Sequence, residues 1–302
     1  MIELTETNSA AIAAEFLRAR KKAGSPAMGM VMTLVIVVDE DEAQDAMESA
    51  RAASQEHPAR VLGVILGDAR GHGVVNAQVG TGAGWSGETA LIRLNGEVVK
   101  HPDSVVLPLL LPDSPVAVWW PADAPKDPAS DPLGSLAQRR ITDSAAVKRG
   151  KTKAIHHQCA TYAKGNTDLA WTRITPWRAL LAAAFDQFPV KVTGASVTGE
   201  RISPSTELLA AWLADRLRVR VDRSVSAGPG ITEVVLDSAE GPIRISRSDG
   251  KLATLDIPGR PARRVALKRR AVPELMAEEL RRLDEDDVYA AVARHLARGH
   301  AK

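Results

Sequence analysis

The chain has 302 residues, enough for two domains at roughly 150 residues each, and its 45% hydrophobic and 25% charged residues, with 22 Gly and 18 Pro, exclude collagen-like, low-complexity and wholly disordered readings. Its 39 basic and 37 acidic side chains leave a net charge of +2, too balanced for nucleic acid as the main partner, and its single cysteine, Cys159, excludes an internal disulfide and a cysteine-held zinc or iron–sulfur centre. The longest apolar run, 105–111 with Pro108 inside it, is far short of the ~20 residues of a membrane span, and the opening Met1-Ile2-Glu3-Leu4-Thr5-Glu6 is acidic where a secretory signal is basic, so a cytoplasmic protein without membrane contact is expected.

After an N-cap at Asn8 or Ser9, residues 10–22 place Ile12, Phe16 and Leu17 on one helical face, and Gly24-Ser25-Pro26 ends the helix. Residues 30–38 are apolar and β-branched at both parities, as a strand covered on both faces would be. Acidic residues 39–42 then open a helix to about Ser54, where negative charge suits the positive helix end. A second buried strand at 60–66 completes a βαβ unit. Strands at 74–79 and 88–94 flank a glycine-rich turn, followed by a short helix near 103–111 and a strand at 115–119. A proline-rich loop at 121–128 leads to helical segments at 131–140 and 142–162, interrupted by Gly165-Asn166.

From Asp168 the order repeats: helix to Phe185, strand at 190–197, helix at 205–217, and strands at 218–225, 231–236, 242–246 and 252–257. Corresponding elements of the two halves lie roughly 158 residues apart, the kind of offset a duplicated unit leaves. Helices at 273–283 and 287–297 close the chain. The expected fold is therefore α/β, with two lobes that share a helix–strand order consistent with duplication. Each lobe is a mixed sheet with a βαβ start, further strands and covering helices. The expected domains are 1–162, with a helical extension, and 163–302, with the terminal helices.

Familiar chemical motifs are weak. Gly82-Ala83-Gly84-Trp85-Ser86-Gly87 formally fits a dinucleotide fingerprint but precedes a strand, so no helix N-terminus is available for phosphate and a hairpin turn is expected. His156-His157-Gln158-Cys159 offers metal-ligating groups, yet adjacent helical side chains diverge by about 100° and do not converge on one ion. His57, with Glu56 and Arg60 nearby, fits a general base or a turn and interface residue before Pro58. Arg260, Arg263, Arg264, Lys268, Arg269 and Arg270 suit phosphate or nucleic acid, but no aromatics interleave for base stacking, and a charged sheet edge accounts for them too. There is no nucleophile–base or metal constellation, so no catalytic residue is assigned.

The unusual density is aromatic and cationic: Trp119-Trp120-Pro121, then Arg139-Arg140-Ile141-Thr142-Asp143-Ser144, then Asp168 through Trp171, Arg173, Trp177 and Arg178. If Asp168 caps a helix, Trp171 and Arg178 lie on neighbouring turns and Trp177 lies beside Arg173, an alternating aromatic and guanidinium surface. Trp and Arg are enriched at interface hot spots, and truncating Trp171 or Arg173 at such a spot costs about 2 kcal/mol or more in affinity. The same groups suit a pocket for an anionic sugar, with Arg forks on phosphate and Trp on the ring.

On these segments the sequence resembles the bacterial OpcA family, the glucose-6-phosphate dehydrogenase assembly proteins. The resemblance is carried by Ser54-Gln55-Glu56-His57-Pro58-Ala59-Arg60, Pro115-Val116-Ala117-Val118-Trp119-Trp120-Pro121, Arg139 to Ser144, residues 167–178, and Leu208-Leu209-Ala210-Ala211-Trp212-Leu213-Ala214, in that order. It implies a non-catalytic partner of glucose-6-phosphate dehydrogenase with no cofactor of its own, NADP belonging to the dehydrogenase. The aromatic and cationic cluster supplies the candidate partner-binding residues, Trp119, Trp120, Arg139, Arg140, Asp168, Trp171, Arg173, Trp177 and Arg178, with His57 and Arg60 as secondary candidates. The thioredoxin-linked regulation of photosynthetic members rests on paired cysteines, which Cys159 alone does not supply.

Overall fold

A computed structural model describes residues 2–22, 29–81 and 87–300. The turn at 24–26 and residues 82–86 of the glycine-rich turn lie outside the described residues. The elements run β1 (Ile2–Leu4), α1 (Ser9–Lys22), β2 (Met32–Val37), α2 (Glu40–Ala53), β3 (Ala59–Leu66), β4 (Val74–Thr81), β5 (Glu88–Asn95), α3 (Pro102–Val106), β6 (Val116–Trp119) and β7 (Arg139–Thr142). They continue with α4 (Lys151–Ala160), β8 (Asn166–Asp168), α5 (Leu169–Thr172), α6 (Thr175–Gln187), β9 (Val192–Glu200), α7 (Pro204–Leu217) and β10 (Val221–Ser226). The last are β11 (Ile231–Ser238), β12 (Ile243–Ser246), β13 (Leu252–Asp256), β14 (Arg263–Ala266), α8 (Val272–Arg281) and α9 (Asp287–His300). Among the described residues no helix is long and apolar enough to cross a membrane.

The chain forms two compact units. The first holds Met1–Asp143, Ala163–Thr167 and Val272–Glu285. Its sheet has eight strands in the order β1-β4-β5-β3-β2-β6-β7-β8. From β5 to β7 neighbouring strands are parallel, and β4 and β1 add antiparallel pairings at one edge. The central strands are apolar at both parities because both faces are covered. Helix α2 starts with Glu40, Asp41 and Glu42 in its first turn and lays Ala43, Ala46, Ala50 and Ala53 inward. Gly63 on β3 admits it closely, since a Cβ there would fall 2.8 Å from Met47 Sδ. Helix α8 packs along α2, burying Leu275, Met276 and Leu280.

Of the three apolar residues expected inward on the first helix, Ile12 and Phe16 join the core while Leu17 is exposed. Positions 12 and 16 stack one turn apart, and 17 lies about 100° round the helix. The helix expected over 131–140 is also replaced. A single 3-10 turn at Gly134–Leu136 precedes strand β7, which continues the parallel sheet by pairing with β6. Gln138 Oε1 accepts from the Val116 N–H at 2.6 Å and sets that register, so pairing overrides the local helical pattern.

The second unit holds Ser144–Tyr162, Asp168–Ala271 and Asp286–Lys302. Its six-stranded sheet runs β10-β9-β11-β12-β13-β14. Strands β9 and β10 are parallel, joined through α7, and the remaining pairings are antiparallel. Both units thus carry the expected mixed sheet with a βαβ start. They diverge beyond it: β2 has a parallel neighbour on each side, whereas β9 has antiparallel β11 on one side. The core gathers Trp171, Trp177, Leu208, Leu209, Val234, Ile245 and Tyr289.

The helix expected from Asp168 to Phe185 is two helices, α5 and α6. Pro176 lacks the N–H that would bond the Thr172 carbonyl, so the first helix stops and the second begins around the proline. The freed Thr172 carbonyl accepts from Arg270 Nη2.

Candidate partner-binding site

In the first unit the candidate residues sit at the β6–β7 end of the sheet and at the start of β3. Trp119 is buried in register between Ile36 and Ile141, and Trp120 is in the core beside Leu133 and Ala137. Successive strand residues point to opposite faces, so Arg139 and Arg140 serve different networks. Arg139 donates from Nη2 to Glu279 Oε2 at 2.6 Å and from Nη1 to the Asp284 carbonyl at 3.0 Å. Arg140 donates from Nε to Asn166 Oδ1 at 2.6 Å, from Nη1 to the Ala137 and Gly134 carbonyls, and from Nη2 to the Lys164 carbonyl. Its guanidinium is a tie between β7 and the backbone on either side.

Arg60 is similarly engaged. Its Nε and Nη2 reach Glu88 Oε2 at 2.8 and 2.5 Å, its Nη1 the Leu109 carbonyl, and its guanidinium lies 4.8 Å from the Phe16 ring centre. Arg20 shares Glu88 through Oε1, giving a buried carboxylate between two cations. His57 is half-buried in the turn before β3, its backbone N–H pointing at the Ala53 carbonyl.

In the second unit Asp168 caps α5 as its position suggests. Oδ1 accepts from the Ala170 N–H at 2.8 Å, and Oδ2 accepts from the Ser144 N–H and hydroxyl at 3.0 and 2.6 Å. Trp171 is only 1% exposed; its Nε1 donates to Asp286 Oδ2 at 2.8 Å, and Asp286 Oδ1 accepts from the Tyr289 N–H at the start of α9. Arg178 lies 3.7 Å over the Trp171 ring, a close cation–π stack. Trp177 is buried too, with Arg247 at 4.9 Å from its ring centre. Of this set Arg173 and Arg178 alone are half-exposed.

Arg178 thus stacks on Trp171 as the helical spacing suggests, but the cation over Trp177 is Arg247 rather than Arg173, and both rings are buried instead of forming a surface. The carboxylates that organise these side chains, Glu88, Glu279 and Asp286, have no local sequence signal, since each lies 28 to 140 residues from the group it holds.

The histidine–cysteine segment forms α4. Cys159 is buried, and its thiol is pushed up to about 12 by burial and by the Asp168 carboxylate. His156 lies 3.9 Å from Glu207. Among the described residues no group of His, Cys, Asp and Glu could hold a metal ion. The basic run enters β14, the edge strand of its sheet, where Arg263 and Arg264 are exposed.

Two domain families match the chain in order. Residues 50–159 match the one described as the N-terminal domain of a glucose-6-phosphate dehydrogenase subunit, and residues 164–293 match the one described as its C-terminal domain. The class defined is that of proteins built of these two domains in this order. The chain belongs to the OpcA family. A curated protein of Synechocystis sp. (strain ATCC 27184 / PCC 6803 / Kazusa), named as OxPP cycle protein OpcA, is 27% identical over 157 residues. That match takes in 49% of this chain and 32% of the relative, so it spans about a third of the relative's length. A solved structure described as trehalose-6-phosphate from E. coli bound with UDP-2-fluoro glucose is 11% identical over 65% of each chain, with a TM-score of 0.26, a likeness that carries no argument.

Proposed function

We propose that this chain is a non-catalytic protein that binds glucose-6-phosphate dehydrogenase and acts as its assembly factor and allosteric activator. It would thereby support the oxidative pentose phosphate pathway and NADPH production. The observation that carries this reading is the pair of dehydrogenase-associated domains matched in order over 50–159 and 164–293. A modulator shifts its partner's equilibrium only by its differential affinity for the two states, so docking must favour the active conformation or oligomer. Arg173 and Arg178, half-exposed beside buried tryptophans, are the contacts this reading assigns to the second unit. Within that unit Asp168 and Trp171 then act as supports, through the α5 cap and the ring under Arg178.

The test is dehydrogenase activity across a substrate titration, with and without equimolar chain, using the dehydrogenase of the same cell, with mass photometry on the same mixtures. A complex with a raised maximal rate or a lowered apparent substrate constant is expected, and Arg178→Ala should weaken association about tenfold, or ~1.4 kcal/mol. Absence of both complex and kinetic effect overturns the reading.

A further inference from the structure

A cavity of about 160 Å³ lies within the second unit where α7 begins. Six basic side chains and a single carboxylate, Glu200, line it among the described residues. That carboxylate rests against the turn after β10, since a Cβ on Gly228 would fall 2.5 Å from Glu200 Oε1. Ser203, Pro204 and Ser205 present the N-terminal end of a 14-residue helix, whose dipole adds positive potential to the same space. Trp177 provides an apolar wall.

The second observation is Arg247. It is 5% exposed, and it lines the cavity immediately after β12. Its Nη1 and Nη2 donate to the Leu267 and Ile231 carbonyls at 2.7 and 2.9 Å, and its Nε is buried with no hydrogen-bond partner. Among the described residues no carboxylate lies within ion-pair distance of it. Burial, with the like charge of Arg269 second, pulls its pKa down. A buried guanidinium with one unmade hydrogen bond and a cationic neighbour is costly as it stands, and an anion in the cavity it lines offsets the charge part of that cost.

Charge alone admits many anions, but the composition of the walls is more selective. Convergent Arg and Lys side chains with a helix N-terminus suit the multiple oxygens of a phosphate, and the indole wall suits a short carbon skeleton. We propose that this cavity binds a phosphate group, free or as the monoester of a small metabolite, held by Lys151, Arg247 and Arg269 at the start of α7. The site belongs to this chain alone and stands whether or not the dehydrogenase is its partner.

The experiment is calorimetric titration of the full chain with inorganic phosphate, glucose 6-phosphate and glucose at constant ionic strength. It is repeated with Arg269→Glu and Lys151→Ala, and with Arg263→Glu as an exposed control on β14 outside the cavity. Saturable binding of a phosphate compound is expected, absent for glucose, weakened at least tenfold by R269E and K151A and unchanged by R263E. Melting curves should be alike for all four proteins, because the altered side chains are exposed or half-buried. Tighter binding of glucose 6-phosphate than of inorganic phosphate identifies a metabolite monoester; equal binding identifies the free ion. No saturable binding of either, unchanged affinity in R269E and K151A, or equal weakening by R263E overturns the site.

Discussion

Trp171 shows how burial changes the meaning of a conspicuous side chain. With 1% exposure, a ring carrying Arg178 and an indole N–H on Asp286, it is a core residue with polar ties at its rim. Trp171→Ala is expected to cost about 3–5 kcal/mol of stability by opening a cavity, read as a lowered urea midpoint, so it does not isolate a partner contact. Arg139 and Glu279 are 4% and 5% exposed at their side chains, and removing one charge strands the other. Glu279→Gln should therefore destabilise by about 3 kcal/mol, again measured by urea unfolding. Cys159 is the opposite of a reactive thiol. With its pKa raised to about 12, the thiol is held neutral in the fold, which contributes stability below the ordinary thiol range and loses it as pH rises through 9.0 toward 12. A thiol reagent at pH 8 should leave the native protein unlabelled and react once urea unfolds it; rapid native labelling would contradict the buried placement.

Among the elements, the join from β7 through β8 into α5 depends on two residues of opposite character. Asp168 satisfies the α5 N-terminus and the Ser144 backbone at once, so Asp168→Ala should cost at least about 2 kcal/mol, with Asp168→Asn recovering part of the loss in the same denaturation assay. Gly165 holds φ +88°, and a Cβ there would fall 2.1 Å from the Gln138 carbonyl oxygen. Helices and strands with strong periodicity were legible in the sequence: α2, β2, β3, α7 and the strands from β10 to β13 fall close to their expected bounds. Strand β7 was not, because four residues carrying two arginines have no strand period of their own and acquire one from β6. The break between α5 and α6 was available in principle from Pro176, which deprives Thr172 of its helical partner.

For the whole molecule, apolar patterning and composition decide that there are two α/β sheets, because the alternation and length of apolar runs are local properties that both faces of a sheet must satisfy. The same local reading marks the Trp and Arg clusters and supports the family resemblance, since both are properties of residue type and order. It does not decide that α8 packs on α2, that Glu279 holds Arg139, or that Asp286 holds Trp171. Nor does it select Arg247, although that residue continues the inward phase of Ile243 and Ile245. Partners distant in sequence meet only when the sheets assemble, and burial then determines whether a tryptophan is a contact or a support and whether an arginine needs an anion.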